Sequence, residues 1–335
     1  MILITGGAGY IGSHCVLEFI KNVSEEIVIF DNLSTGHIET IETLQKISNK
    51  IKFIEGDLKN PKDVKKIFKE NKIDSIIHFA ALSSVAQSIK EPQKYYENNV
   101  LGTLNLLNTM VENNVLKIVF SSTAAIYGEP NYTPIDENHP KNPINPYGKT
   151  KLSIEEIMSD FDKLYNLKSI KLRYFNVIGA NSDSIIGEWH NDETHLVPNI
   201  LKSTFNNSKI FEIYGDNYNT PDGTCIRDYV NVEDLALAHR LAYNYLLKEN
   251  VSNEFNIGTK EGNSVKDIFN TVQKTINKQI EFKILPRRKG DPEILLANSK
   301  KAQDILGWSA KNTLETSIKT AYEWEKKLQK KLFSF

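Results

Sequence analysis

Residues 2–12 read Ile-Leu-Ile-Thr-Gly-Gly-Ala-Gly-Tyr-Ile-Gly, a short apolar run followed by glycines at positions 6, 9 and 12 and then a helical pattern. No other stretch constrains the fold as much. A strand that turns through Gly6, Gly9 and Gly12 into a helix leaves bare backbone N–H groups at the helix N-terminus, where a pyrophosphate can approach. Glycine spacing alone fits an ordinary strand-to-helix turn equally well. The next apolar run, Glu26–Asp31, adds a second signal, because it closes on an acid 19 residues beyond Gly12. A carboxylate there accepts hydrogen bonds from both adenosine ribose hydroxyls and repels a 2′-phosphate. The combination predicts a site for NAD rather than NADP.

The pattern repeats. Ile51–Glu55, Ser75–Ala81, Leu116–Ser122 and Ser169–Phe175 read as further strands. Helical patterns at Ser13–Lys21, from Pro92 to about Asn113 and at Gly148–Leu164 separate them. Such alternation predicts an α/β fold, a Rossmann-type doubly wound parallel sheet with helices on both faces. Past Gly179 the pattern loosens, and Gly, Asn, Asp and Pro gather at 181–193 and 214–223, as in loops that make substrate contacts. The expected organisation is an NAD-binding domain over residues 1–180 and a smaller α/β substrate domain over 181–335, their segments interleaved. Forty-one basic against 42 acidic residues speak against a nucleic-acid scaffold or a polybasic membrane binder. No apolar run is long enough to span a membrane. The opening Met-Ile-Leu-Ile-Thr has no targeting character, and two distant cysteines, Cys15 and Cys225, suit a reducing cytoplasm.

Tyr147-Gly148-Lys149-Thr150-Lys151 places Tyr147 and Lys151 four residues apart, on one face of a helix. A phenol is a poor base at neutral pH, and a fixed ammonium beside it stabilises the phenolate. Taken alone, this spacing also describes a solvated helix face. Here it follows the glycine loop and a strand ending in Ser121-Ser122-Thr123, whose last hydroxyl is placed to share a substrate proton with Tyr147.

These motifs resemble the extended short-chain dehydrogenase/reductases and, within them, the UDP-glucose 4-epimerase family. The likeness extends over Gly9–His14, Phe30–Asn32, Glu55–Leu58, His78–Ala81, Tyr95–Gly102, Ser121–Gly128, Pro146–Leu152, Leu172–Ala180, Asp222–Tyr229 and Pro286–Asp291. It implies that Tyr10, Ile11, Asp31, Asn32, Leu33, Ser34, Thr35 and Gly36 hold the adenosine end of NAD, with Asp57 and Leu58 beside the adenine. Phe79, Ala80, Ala81, Leu82, Ser83 and Asn98 would line the cleft, and Phe175 would lie near the nicotinamide. Tyr147 would be the base, Lys151 its partner, and Thr123 the second hydroxyl. Asn176, Leu196, Glu212, Ile213, Tyr214, Arg227, Arg288 and Asp291 would hold a UDP-sugar, with Leu295 as a gate beside the sugar's C2 substituent. Only five of the 41 basic residues are Arg, the better bidentate diphosphate ligand, and Arg227, Arg287 and Arg288 all fall in the expected substrate half. A homodimer built on the helices near Pro92–Asn113 and Gly148–Leu164 is also implied.

Ser83 stands where the family often has Lys, Thr123 replaces a serine, and His195 replaces an asparagine. The stretch His190-Asn191-Asp192-Glu193-Thr194-His195 carries metal-ligating types without helical periodicity, so no metal is expected there. Three rivals remain open. A nucleotide-sugar 4,6-dehydratase would carry a carboxylate after the active-site Thr, where this chain has Ala124 and Ala125. A UDP-glucuronate epimerase or decarboxylase would need extra cations for the C6 carboxylate. A catalytically silent NAD-sensing regulator would be expected to have lost Tyr147 or Lys151.

Overall fold

Six strands of the first half form where the apolar runs place them: β1 (Ile2–Thr5), β2 (Ile27–Asp31), β3 (Ile51–Glu55), β4 (Ser75–His78), β5 (Lys117–Ser121) and β6 (Lys168–Tyr174). The structure, a computed structural model, describes residues 1–205, 210–288 and 291–333. Lys289 and Gly290, within the family-like segment 286–291, lie outside the described residues. Helices α1 (Tyr10–Asn22), α2 (Ile38–Ile47), α3 (Pro61–Glu70), α4 (Val85–Lys90), α5 (Pro92–Tyr95), α6 (Gly102–Glu112) and α7 (Pro146–Tyr165) connect the strands.

The chain then forms β7 (Asn176–Ile178), α8 (Leu196–Phe205), β8 (Phe211–Tyr214), β9 (Ile226–Asn231), α9 (Val232–Glu249) and β10 (Asn253–Ile257). It ends with β11 (Gly262–Ser264), α10 (Val265–Ile276), β12 (Phe282–Leu285), β13 (Ile294–Leu295), α11 (Lys300–Leu306) and α12 (Leu314–Phe333). No helix among the described residues is long and apolar enough to cross a membrane.

Seven parallel strands lie in the order β10-β6-β5-β4-β1-β2-β3. The direction of winding reverses between β1 and β4, which opens a crevice at the carboxyl ends of those strands. Along β1, Ile2 and Ile4 pack into one apolar layer and Leu3 into the other, as a period of two requires. Sequence reading missed β10, whose Asn-Glu-Phe-Asn-Ile lacks a continuous apolar run and sits at the sheet edge beside β6. Helix α9 likewise returns to the first sheet and packs on α1, with the Phe19 and Tyr243 rings 5.4 Å apart and Arg240 Nε donating to Glu18 at 2.6 Å. The remaining strands pair around β9 and between β8 and β12, over a separate core that includes Phe211, Ile213, Ile268 and Phe269.

The single helix expected from Pro92 to Asn113 is instead α5 and α6 joined by a π turn over Tyr96–Leu101. The buried Asn99 lies on that turn. Its side chain accepts from the Leu82 N–H at 2.8 Å and donates to the Leu82 carbonyl at 3.0 Å, holding the loop after β4. Helix α1 starts three residues before the expected Ser13, because Gly9 serves as its N-cap.

Gly12 has no room for a side chain: a Cβ there would lie 2.2 Å from the Gly6 carbonyl oxygen, and both groups are backbone. Gly12→Ala is expected to cost about 1–3 kcal/mol through forced overpacking, measured by urea unfolding, and to abolish co-purification of nucleotide.

Candidate active site

The N-terminus of α1 has no side-chain cap, so its first-turn N–H groups remain available to a ligand. Gly6 lets the chain reach this turn, since its φ of +73° disfavours side chains and a Cβ would lie 2.5 Å from Ala80 N. At the end of β2, Asp31 accepts from Ala8 N at 3.0 Å and from Leu33 N at 2.9 Å. Burial raises its carboxyl, and these backbone bonds oppose the rise.

One cleft runs from this turn to the end of β5. Its walls include Gly6, Gly9, Tyr10, Ile11, Gly12, Asp31, Asn32, Ser34, Thr35, Asp57, Leu58, Phe79, Ala80, Ala81, Ser83, Asn98, Tyr147 and Lys151. An uncapped helix end, a glycine floor and an acid at the second strand fit an NAD-type dinucleotide.

Three expected cofactor residues stand off these walls. Leu33 packs against the core behind α1, and Gly36 lies so close to Ala8 that a Cβ would come within 2.7 Å of the alanine methyl. Phe175 turns away to pack with Ala124, Tyr127 and Leu295, and its neighbour Tyr174 lines the cleft instead, donating or accepting at 2.8 Å with Ser121. Neighbouring residues at a strand end face opposite sides, so the Tyr174 ring lines the cleft while the Phe175 ring lies behind it. Sequence reasoning also missed Phe30, Gly56, His190 and His195 as wall residues. The two histidines come from a loop whose sequence has no period to place them.

Tyr147 and Lys151 occupy the first turns of α7. Asn145 caps that helix by accepting from Gly148 N at 2.9 Å, and Pro146 opens it two residues before the expected Gly148. Helix and β5 loop meet closely, since a Cβ on Gly148 would lie 2.5 Å from the Ala125 carbonyl oxygen. Thr123, at the start of that loop, accepts from Ala125 N at 3.1 Å. Burial pushes the Tyr147 phenol well above its ordinary value, against the Thr123 bond that lowers it. Burial also draws the Lys151 ammonium down to about 7, against the pull of Glu155. Lys151 Nζ donates to the Ser121 carbonyl at 2.8 Å.

Beneath these groups lies an ion pair that sequence reasoning did not single out. Arg173 on β6 and Glu155 on α7 are both buried and bind at two points, 2.6 and 3.0 Å. Glu155 also accepts from Ser122 Oγ at 2.6 Å, and Arg173 donates to the Tyr127 hydroxyl at 3.0 Å. Tyr127 in turn donates to Asn256 on β10 at 2.7 Å.

The expected substrate residues gather across the second lobe. The Arg288 guanidinium stacks over Tyr214, 3.9 Å from its centroid, and Arg227 faces Asp291 at 3.9 Å. Tyr214 donates to Glu212 at 2.8 Å. Asn176 begins β7 and Leu196 begins α8. The Ile213 side chain is buried in the second core, which leaves only its backbone to face a ligand. Leu295 packs beside Phe175 and Leu152, next to the Ala124 that follows Thr123. At the near rim of the cleft, Glu188, His190, Glu193 and His195 converge, although the lack of helical spacing argued against it. Burial opposes ionisation of Glu188, but His195 and His190 outweigh it and hold the carboxyl low.

A family model described as GDP-mannose 4,6 dehydratase matches residues 3–321. A UDP-glucose 4-epimerase of Lactobacillus helveticus is 48% identical over 97% of this chain and 97% of its own. The chain belongs to the UDP-glucose 4-epimerase family. An epimerase of Halalkalibacterium halodurans is 46% identical, over 97% of this chain and 95% of that one. The crystal structure of a UDP-glucose 4-epimerase from Stenotrophomonas maltophila, with bound NAD and formylated UDP-arabinopyranose, superposes with a TM-score of 0.94. It is 34% identical, over 98% of this chain and 99% of that one. The UDP-Glc/GlcNAc 4-epimerase of Campylobacter jejuni gives a TM-score of 0.85 at 42% identity, over 97% and 99%. In this epimerase Ala124 follows Thr123, so the broader model's dehydratase description is not matched by a carboxylate at that position.

Removing one partner of the buried pair strands the other. Glu155→Ala is expected to destabilise the protein by about 3–5 kcal/mol in urea titrations, and the double change Glu155→Leu with Arg173→Met is expected to recover most of that loss.

Proposed function

We infer that the chain interconverts UDP-glucose and UDP-galactose, inverting C4′ through a transient 4-keto sugar with tightly bound NAD. The observation that carries this reading is the pair Tyr147 and Lys151 on the wall of a dinucleotide cleft, with Thr123 at the end of the adjoining strand β5, in a chain 46–48% identical to UDP-glucose 4-epimerases. NAD, when bound, supplies a hydride acceptor that is also the donor, so no net oxidation results, and its cationic ring adds positive charge. Tyr147 holds and moves the proton of the sugar 4′-oxygen. Lys151 supplies the charge that lets the buried phenol ionise, and Thr123 orients the hydroxyl. Gly6, Gly9 and Gly12 face the pyrophosphate, and Tyr10, Ile11 and Asp31 the adenosine end. Arg227, Arg288, Asp291 and Tyr214 hold the UDP portion. Residues 1–180 form the cofactor domain, completed by α9 and β10 returning from the second half, and the rest of 181–335 forms the substrate domain.

Purified protein given UDP-galactose should yield UDP-glucose by NMR. Tyr147→Phe should lower turnover by at least about 10²-fold while the NAD content stays unchanged. Near-normal turnover would remove Tyr147 from the role of base.

Leu295 beside Phe175 leaves more space than a tyrosine would, and the Campylobacter jejuni relative is named for both UDP-Glc and UDP-GlcNAc. We therefore propose some turnover of the N-acetylhexosamine pair as well. Leu295→Tyr should remove that activity and largely spare the glucose/galactose pair, since only the larger substituent meets the added ring. Parallel loss of both activities would exclude Leu295 as the gate.

We also propose a cytoplasmic homodimer. Its cysteines are free and buried, as suits a reducing compartment. Tyr96 and Leu101 on the π turn and Leu164 on α7 are 41%, 45% and 72% exposed, apolar side chains on the two helices of the expected seam. Light scattering at micromolar concentration should give twice the 38.1 kDa chain mass.

A further inference from the structure

Glu188, His190, Glu193 and His195 lie on one loop between β7 and α8. Each offers a ligand atom, and the four atoms all lie within 4.8 Å of one another. His190 Nδ1 stands 3.4 Å from Glu188 Oε1 and 3.5 Å from Glu193 Oε2. His195 Nδ1 contacts the same Glu188 oxygen and is 3.9 Å from Glu193 Oε1. Ligands held about 2.0–2.2 Å from a tetrahedral zinc ion are about 3.3–3.6 Å apart, so the two His190 separations match a coordination shell, whereas His195 and Glu188 meet in direct hydrogen-bonding contact and part to admit an ion.

The charge balance points the same way. The Glu188 and Glu193 side chains are only 6% and 5% exposed, and burying two carboxylates together is costly without positive charge between them. Lys202 reaches Glu193 Oε2 at 3.5 Å, but among the described residues Glu188 has ion-pair partners only in the two imidazoles. Two imidazole nitrogens and two carboxylate oxygens suit zinc better than magnesium or calcium, which favour oxygen-only shells. The loop is also braced from outside. Trp324 Nε1 donates to the Glu188 carbonyl at 2.8 Å, and Trp189 stacks on His37 with centroids 3.7 Å apart.

We propose that Glu188, His190, Glu193 and His195 bind one divalent transition-metal ion of the zinc class, which clasps this loop against the rim of the cofactor cleft. His190 and His195 line that cleft beside Tyr10. The ion is structural: it replaces the proton-borne charge otherwise needed between the carboxylates and fixes the loop from which α8 departs. It takes no part in the proton transfer assigned to Tyr147, so the two readings stand or fall separately.

The test uses the full-length protein with its bound cofactor, treated with chelator, dialysed, and then offered zinc or cobalt(II) alone. Mass spectrometry of the dialysed protein should find about one metal per chain. The cobalt form should show visible tetrahedral bands without sulfur-to-metal charge transfer, because neither cysteine belongs to the set. Glu188→Gln and the double change His190→Asn with His195→Asn should each weaken metal binding at least about 100-fold. Metal should raise the melting temperature of the parent protein but not of these variants. Failure of the parent protein to retain metal would overturn the proposal and leave two protonated imidazoles answering the carboxylates. Undiminished binding by both variants would overturn it as well.

Discussion

The buried pair of Arg173 and Glu155 joins the three pieces of chain that carry the chemistry. Glu155 sits on the helix that bears Tyr147 and Lys151, Arg173 lies on the neighbouring strand, and Ser122, bonded to Glu155, directly precedes Thr123. A desolvated ion pair of this kind adds little net stability, because desolvation offsets the attraction. Its value is geometric: each charge tolerates only one arrangement of its neighbours. The continuation through Tyr127 to Asn256 extends that constraint to the edge strand contributed by the second half of the chain. The segment that returns from the second half of the chain to complete the first sheet is thus tied to α7 through side-chain hydrogen bonds.

Burial sets the chemistry above that pair. The same dry surroundings that raise the Tyr147 phenol and lower the Lys151 ammonium place both groups away from their solution behaviour. A phenol in such a place ionises only when positive charge is supplied close by. Lys151 is held for this by the Ser121 carbonyl, and a cationic cofactor ring adds to it. In the proposed reaction Tyr147 therefore becomes a base only with the cofactor present, as suits hydride and proton that leave and return within one site.

The fold places these groups by an old constraint of doubly wound sheets. Reversal of strand order between β1 and β4 leaves no helix over that point, so the crevice opens there and both ends of the cleft meet it. Glycines at the floor keep α1 close to the sheet, and the loops of the second half close over the other side. His190 and His195 reach the rim from those loops, within a charged cluster that has no counterpart in the first half.

What the sequence by itself determined is local. Strands β1 to β6, the glycine turn, the acid at Asp31 and the helix with Tyr147 and Lys151 were all legible, because each is written in nearest-neighbour periodicity, spacing and turn chemistry. The epimerase family was legible because these motifs recur in one order along the chain. Tertiary structure alone decided the rest. It brought β10 and α9 back to the first sheet, paired Glu155 with Arg173 and set the Tyr174 ring on the cleft wall. It also folded an aperiodic loop so that two histidines and two glutamates face one point. These contacts join residues that no local period relates. Which face a strand-end residue presents, and which charge meets which, is set by packing between distant segments and by the cost of leaving a buried charge unanswered.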